Sequence, residues 1–206
     1  MKLAQPHIYL ASQSPRRREL LKQIGVHFGS LLMRGEAGRL PDVDETPHPG
    51  EDPTAYVQRV TRDKAEAGWK AMKQRNLPPY PVLAADTTVV LDGQILGKPA
   101  DRDAAAAMLR QLSGSEHQVL TAVAVKFEER CELRLSVTRV RFVELGEERI
   151  HRYLLTGESL DKAGAYGVQG HAGAFVRSIE GSYSGVVGLP LCETAELLES
   201  FGYPLS

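Results

Sequence analysis

Apolar positions along this chain fall into short runs that switch between the two-residue and the 3.6-residue period. The run His7–Ala11 ends at polar Ser12-Gln13-Ser14 and predicts a short buried strand. Ser14 is a good N-cap, Pro15 suits the first helical position, and Gly25 is a helix terminator, so a helix is expected over Pro15–Ile24. A second helix is expected from about Pro53 to Lys73, with an apolar stripe at Val57, Val60, Ala67 and Ala71 and with Lys64 in its middle. Pro81–Ala85 and Thr87–Leu91 read as one apolar strand interrupted by Asp86. Asp92-Gly93 is a tight hairpin signal, which should return Gln94–Leu96 antiparallel.

Asp101 or Asp103 should cap an alanine-rich helix ending near Gly114. Gln118–Phe127 and Cys131–Phe142 read as an antiparallel pair, the second alternating apolar and charged residues. Glu147–Thr156 and Leu191–Phe201 read as helices, Ala174–Ile179 as a strand, and Asp161–Gly173 as an irregular glycine-rich stretch. Residues 34–53, rich in Gly, Pro, Asp and Glu, read as a long loop, a length typical of functional or disordered connections. Hairpins mixed with helices imply an α/β protein with a mixed, twisted sheet flanked by helices, not a regular doubly wound fold.

At 206 residues the chain suits one domain, or two tightly joined lobes around a central cleft, and buries a core without staples. Its two cysteines, Cys131 and Cys192, have no metal-ligand spacing and read as reduced bystanders. No apolar run is long enough to cross a membrane, and the first residues are too polar for a signal peptide, so the cytoplasm is the expected compartment. A net charge of −1 with no basic stripe argues against a nucleic-acid binder. Small anionic substrates stay open, because a local cationic pocket does not need a basic chain.

Chemistry concentrates in a few places. Ser12, Ser14, Arg16 and Arg17 stand where a strand feeds a helix N-terminus, a place that favours an anion. A plain capped helix with solvated arginines explains Ser14. It leaves Arg16 and Arg17 unexplained, because cations in a first turn oppose the dipole and need a negative partner. Asp86 is the one charge in an apolar run, so it needs a partner: Lys98, an arginine, a metal ion or a water proton. Lys64 either snorkels to solvent or contacts phosphate. Lys98 follows the hairpin in Gly97-Lys98-Pro99. Asp44 and Glu45 become metal ligands only if a hard cation such as Mg²⁺ is present. Asp161-Lys162-Ala163-Gly164-Ala165-Tyr166-Gly167-Val168-Gln169-Gly170 is either a surface loop or a close backbone approach to a flat ligand, with Gln169 offering a donor and an acceptor to a base edge. There is no phosphate-cradling G-x-x-x-x-G-K motif, no paired-histidine zinc motif and no G-x-S-x-G elbow; Ser182 reads as part of a turn.

Six blocks in order resemble the Maf family: Ser12-x-Ser14-Pro15-Arg16-Arg17-x-Glu19-Leu20-Leu21, Asp44-Glu45-Thr46-Pro47, Ala85-Asp86-Thr87, Gly97-Lys98-Pro99, the Asp161–Gly170 segment, and Gly181-Ser182-Tyr183-Ser184 running to Gly188-Leu189-Pro190. The resemblance spans nearly the whole chain. It implies a house-cleaning nucleotide pyrophosphatase with an elongated fold like that of inosine triphosphate pyrophosphatases, commonly a homodimer, dependent on Mg²⁺ or Mn²⁺. The Ala85-Asp86-Thr87 and Ala165-Tyr166-Gly167-x-Gln169-Gly170 blocks are similar to the branch that acts on dTTP and UTP. By position, Asp86 matches the catalytic proton acceptor, and Arg16, Thr87 and Gln169 match positions of substrate choice. Ser12, Arg17, Glu45, Lys64, Lys98 and Asp161 match other polar site positions; Ser12, Ser14, Arg16, Arg17, Lys64 and Lys98 are expected to bind phosphate, and Glu45, Asp86 and Asp161 to hold the metal ion. Two features depart from the pattern: Met33–Leu40 looks like an insertion, and His171 stands where a small or apolar residue is common.

The implied reaction is attack of water on the α-phosphorus, with pyrophosphate leaving and Asp86 taking the proton. An ordinary aspartate is a poor base for free water and becomes adequate when a metal ion acidifies that water. Gln169 and Thr87 would read the pyrimidine edge. Two other readings compete: a pyrophosphatase for modified purine triphosphates such as inosine triphosphate, and a nucleotide-sensing regulator of division whose hydrolysis is incidental. A sensor has no need of a carboxylate beside phosphates, so Asp86 separates the last reading from the others.

Overall fold

The structure, a computed structural model, describes residues 7–31 and 43–205. The Met33–Leu40 stretch, and with it most of the first half of the 34–53 loop, lies outside the described residues. Two compact units emerge. One comprises the described residues within 1–86, 122–135 and 188–206, the other residues 87–121 and 136–187.

The first unit opens with β1 (Ile8–Leu10), followed by α1 (Pro15–Gln23) and β2 (Phe28–Ser30). Both β2 and the start of β3 (Val82–Leu91) pair with β1 in parallel, Tyr9 facing Gly29 on one side and Val82 on the other. Ser14 caps α1 by accepting from the Arg17 amide, and Gly25 ends it in the left-handed region at φ 72°. α2 (Pro53–Gln74) begins at the Asp52 cap, whose carboxylate accepts from the amides of Thr54 and Ala55. Its buried face runs through Val57, Val60, Thr61, Ala65, Gly68, Trp69 and Met72, so the stripe bends away from the expected Ala67 and Ala71, which are half-buried. Gly68 is the reason α2 lies so close to the sheet. A Cβ there would stand 2.8 Å from Val82 Cγ1 and 2.9 Å from Ala11 Cβ. That close approach lets a lysine one turn earlier reach the middle of β3. Tyr9, Leu31, Trp69, Met72, Val82 and Ala124 fill the core around it.

In the second unit, β3 turns at Asp92-Gly93, both at positive φ, and returns antiparallel as β4 (Gln94–Leu96), with Leu91 opposite Gln94. Asp101 caps α3 (Arg102–Leu112) by accepting from the Ala104 amide at 2.8 Å. The long strands β5 (Glu116–Phe127) and β6 (Arg130–Phe142) are neighbours joined by a two-residue turn, and each has residues in both units. α4 (Glu147–Leu155) precedes the glycine-rich stretch. That stretch contains two short 3₁₀ turns at Ala163–Ala165 and His171–Phe175 before β7 (Val176–Glu180) pairs antiparallel with β6. A core of Leu109, Leu112, Phe142, Ile150, Tyr153 and Phe175 lies beneath.

α5 (Tyr183–Val187) stands where a turn was expected at Ser182, whose hydroxyl caps it by accepting from the Gly185 amide at 3.0 Å. α6 (Leu191–Ser200) closes the chain. Among the described residues, seven strands form one sheet in the order β2-β1-β3-β5-β6-β7, with β4 on β3, a mixed arrangement as expected. β2 and α5 escape a periodicity reading because three and five residues are too few to establish a period. Cys131 and Cys192 are free thiols, and no helix among the described residues is long and apolar enough to cross a membrane.

Candidate active site

In the first unit the expected residues from three segments converge. Asp86, near the middle of β3, is buried, as its apolar neighbours required. Its hydrogen-bonded partner is Lys64 of α2, whose Nζ stands 2.6 Å from Asp86 Oδ1 and 2.9 Å from Glu45 Oε1. Lys64 therefore does not snorkel. Its ammonium is only 15% exposed at the side chain and bridges two carboxylates. Two oxygen donors from separate segments thus aim at one point of positive charge.

The turn after β1 supplies cations nearby. Ser12 is buried, and its hydroxyl accepts from the Ser14 amide at 3.1 Å and from Arg17 Nη1 at 3.3 Å. Arg17 Nε donates to the carbonyl of Gly188 at 2.8 Å, just after α5. Desolvation lowers the pKa of Arg17, while the charges of Asp86 and Glu45 act in the opposite direction. Those two carboxylates are the negative compensation that a guanidinium in a first helical turn requires. Arg16, in the same turn, is half-buried.

Sequence reading missed Tyr56 and Arg59, the residues of α2 that hold the Glu45 loop. Arg59 forms a two-pronged pair with Glu51 at 2.7 and 2.8 Å and donates to the carbonyls of Asp44 at 3.4 Å and Thr46 at 3.1 Å. Tyr56 donates its hydroxyl to the carbonyl of Glu45 at 2.9 Å. Burial, then the charges of Asp86 and Glu45, push the Tyr56 phenol up to about 12. The Arg59 hydrogen bonds hold Glu51 down at about 2. An arginine and a tyrosine one helical turn apart gave no motif by themselves.

The other expected residues belong to the second unit. The amide of Gly164 donates to the carbonyl of Gly97 at 3.1 Å, which joins the exposed Lys98 turn to the Asp161–Gly170 segment. Gly164 and Ala165 both take left-handed backbone, at φ 67° and 62°. Asp161 is exposed and pairs with Lys162, whose Nζ also donates to the carbonyl of Glu158 at 2.7 Å. Gln169 is exposed. Glu158 accepts from the backbone amide of His171 at 3.0 Å and pairs with its ring, while a Cβ on Gly170 would meet Glu158 Oε2 at 2.1 Å. His171, the departure from the family pattern, is therefore part of the clasp on the Gln169 turn. Tyr166 bonds buried His117 at 2.8 Å, and burial drives its phenol well above the ordinary range. Thr87 is half-buried, and the Thr121 hydroxyl, which donates to Gly185 O at 2.8 Å, lies 3.1 Å from its oxygen. No cluster of three or more His, Cys, Asp or Glu groups with metal-holding geometry occurs among the described residues.

The family model described as Maf-like protein matches residues 7–201, nearly the whole chain. The chain belongs to the Maf family. Among curated Maf relatives, the dTTP/UTP pyrophosphatase of Aromatoleum aromaticum is 58% identical over 206 residues, covering 100% of both chains. That of Nitrosomonas europaea is 60% identical over 195 residues, covering 95% of this chain and 94% of the relative. Among solved structures, the Staphylococcus aureus Ham1 protein aligns over 66% of this chain and 71% of its own, with a TM-score of 0.45 and 16% identity.

Proposed function

We propose that this Maf protein hydrolyses dTTP and UTP to the nucleoside monophosphate and pyrophosphate with a divalent cation. The full-length relatives named dTTP/UTP pyrophosphatase support the reaction. The observation that carries the chemistry is the convergence of Glu45 and Asp86 on one cationic group. Mg²⁺ is commonly held by one or two carboxylates with substrate phosphates and waters completing the shell, and this donor pair suits it. When bound there, Mg²⁺ or Mn²⁺ supplies charge neutralisation and a more acidic water.

The chain's own residues do the rest. Water forms a bond to the α-phosphorus as the bond from that phosphorus to the bridging oxygen breaks, and pyrophosphate leaves. Asp86 takes the water's proton. Arg17, Ser12, Ser14 and Arg16 present donors and charge to phosphate oxygens at the start of α1, and Lys64 and Lys98 add further positive charge. Asp161 is a further proposed oxygen donor to the substrate's cation. Gln169 and Thr87 read the pyrimidine edge, and Arg16 contributes to that choice. The protein works as a homodimer in the cytoplasm, an assembly state that sedimentation velocity checks.

The test is pyrophosphate release from a panel of nucleoside triphosphates with Mg²⁺, with Mn²⁺ and with chelator. Metal-dependent release from dTTP and UTP is expected, and Asp86→Asn should lower turnover by about a hundredfold or more while nucleotide still binds. Release confined to purine triphosphates would overturn the substrate. Near-normal turnover in Asp86→Asn would overturn its role.

A further inference from the structure

Glu45 lies on an exposed loop, where a carboxylate would ordinarily sample many positions. Here the loop is fastened from one side. The carbonyls of three successive residues, Asp44, Glu45 and Thr46, all accept hydrogen bonds from α2: the first and third from Arg59, the middle one from the Tyr56 hydroxyl. Tyr56 and Arg59 are three residues apart and so share a helix face. Arg59 is itself fixed by its two-pronged pair with Glu51, whose second oxygen also accepts from the His48 amide at 2.9 Å. Within the loop, Asp44 Oδ1 accepts from the Thr46 amide at 2.9 Å. With its backbone held at three points, the Glu45 side chain meets Lys64 Nζ at 2.9 Å, and Lys64 belongs to the same helix. One rigid element therefore sets both the loop and the charge that the loop's carboxylate faces.

We propose that Arg59 and Tyr56 are positioning residues that hold the Glu45 carboxylate beside Asp86 and so set the protein's affinity for a divalent cation. The inference rests on the reading of Glu45 as a cation ligand. Neither residue is itself a proposed ligand. Each acts through the Glu45 backbone, and the planar fork of Arg59 makes it irreplaceable by lysine, which is a point charge without fixed directions.

The experiment is a Mn²⁺ titration of the full-length protein without nucleotide, following the free-ion signal by electron paramagnetic resonance. Glu45→Gln, Arg59→Lys and Tyr56→Phe are compared with the unmodified chain, singly and with each positioning variant in the Glu45→Gln background. Loss of groups that orient a ligand typically lowers metal affinity about 10- to 100-fold. Arg59→Lys should weaken Mn²⁺ binding about tenfold, Tyr56→Phe less, and neither should weaken it further once Glu45 is Gln. Tyr56→Phe keeps the packed ring and serves if Arg59→Lys folds poorly. Amide exchange over residues 43–52 should quicken in both variants. Unchanged Mn²⁺ affinity in both, or the same fold loss with and without Glu45, would overturn the proposal. If Glu45→Gln alone leaves Mn²⁺ binding unchanged, the ligand reading fails first and the positioning role falls with it.

Discussion

Lys64 Nζ stands 2.6 Å from Asp86 Oδ1, a contact between the middle of a helix and the middle of a strand. The pair is mostly shielded, with side-chain exposures of 15% and 11%. Removing one partner of such a pair leaves a charge short of solvent and short of a counter-ion. Lys64→Met should destabilise the protein by about 1–3 kcal/mol, below the figure for a fully buried pair because water still reaches both groups. The double variant with Asp86→Asn should recover part of that loss. Urea unfolding of Lys64→Met, of Asp86→Asn and of the double variant measures it. A single Lys64→Met variant within about 0.5 kcal/mol of the original would show that the pair behaves as an exposed one.

The clasp on the Gln169 turn predicts a graded effect on base choice. Glu158→Ala removes the acceptor for the His171 amide and the partner of its ring, whereas His171→Ala removes the ring contact alone. Displacing a contact group by about 1 Å costs on the order of a hundredfold. The kcat/KM ratio for UTP over CTP should therefore fall most in Gln169→Ala, next in Glu158→Ala and least in His171→Ala. An unaltered ratio in Glu158→Ala, alongside a lowered one in Gln169→Ala, would mean that the turn holds its shape without the clasp.

His117 gives the chain an acid-sensitive point. It is 2% exposed, it stacks edge-on with Phe142 and Tyr166, and desolvation lowers its pKa to about 4. Between an unfolded value near 6.5 and that lowered value, the unfolded chain binds a proton that the folded one refuses. Stability is thus fully present above about pH 6.5 and falls as pH drops toward about 4, by about 3 kcal/mol over the window. His117→Gln should lack that component. The measurement is the stability difference between the two proteins from pH 7 to pH 4. A difference that stays constant across that range would show that His117 is not held neutral in the fold.

Local features were legible because they depend on neighbours in the chain. Ser14-Pro15 and Asp101 announce helix starts through side-chain oxygens that accept from amides three residues on. Asp92-Gly93 announces a hairpin through its positive φ angles. Asp86 stood out because a lone charge in an apolar run demands a partner. The stripe on α2 was misjudged past Lys64, since Gly68 offers no apolar signal, yet it marks the closest approach to the sheet. The His171 contact was not legible, because its partner, Glu158, lies 13 positions away in the chain.

By itself, the sequence determined the order of most helices and strands, the caps that start them, and which polar residues needed an explanation. Each of these follows from backbone preferences and spacing over a few residues. The tertiary structure alone decided what those residues meet. Asp86 takes Lys64, 22 positions away, rather than Lys98, and Arg59 and Tyr56 govern the Glu45 loop. Pairings of that kind depend on how closely α2 packs against β1 and β3. That distance follows from the volumes of side chains brought together across the fold, which no local pattern in the chain records.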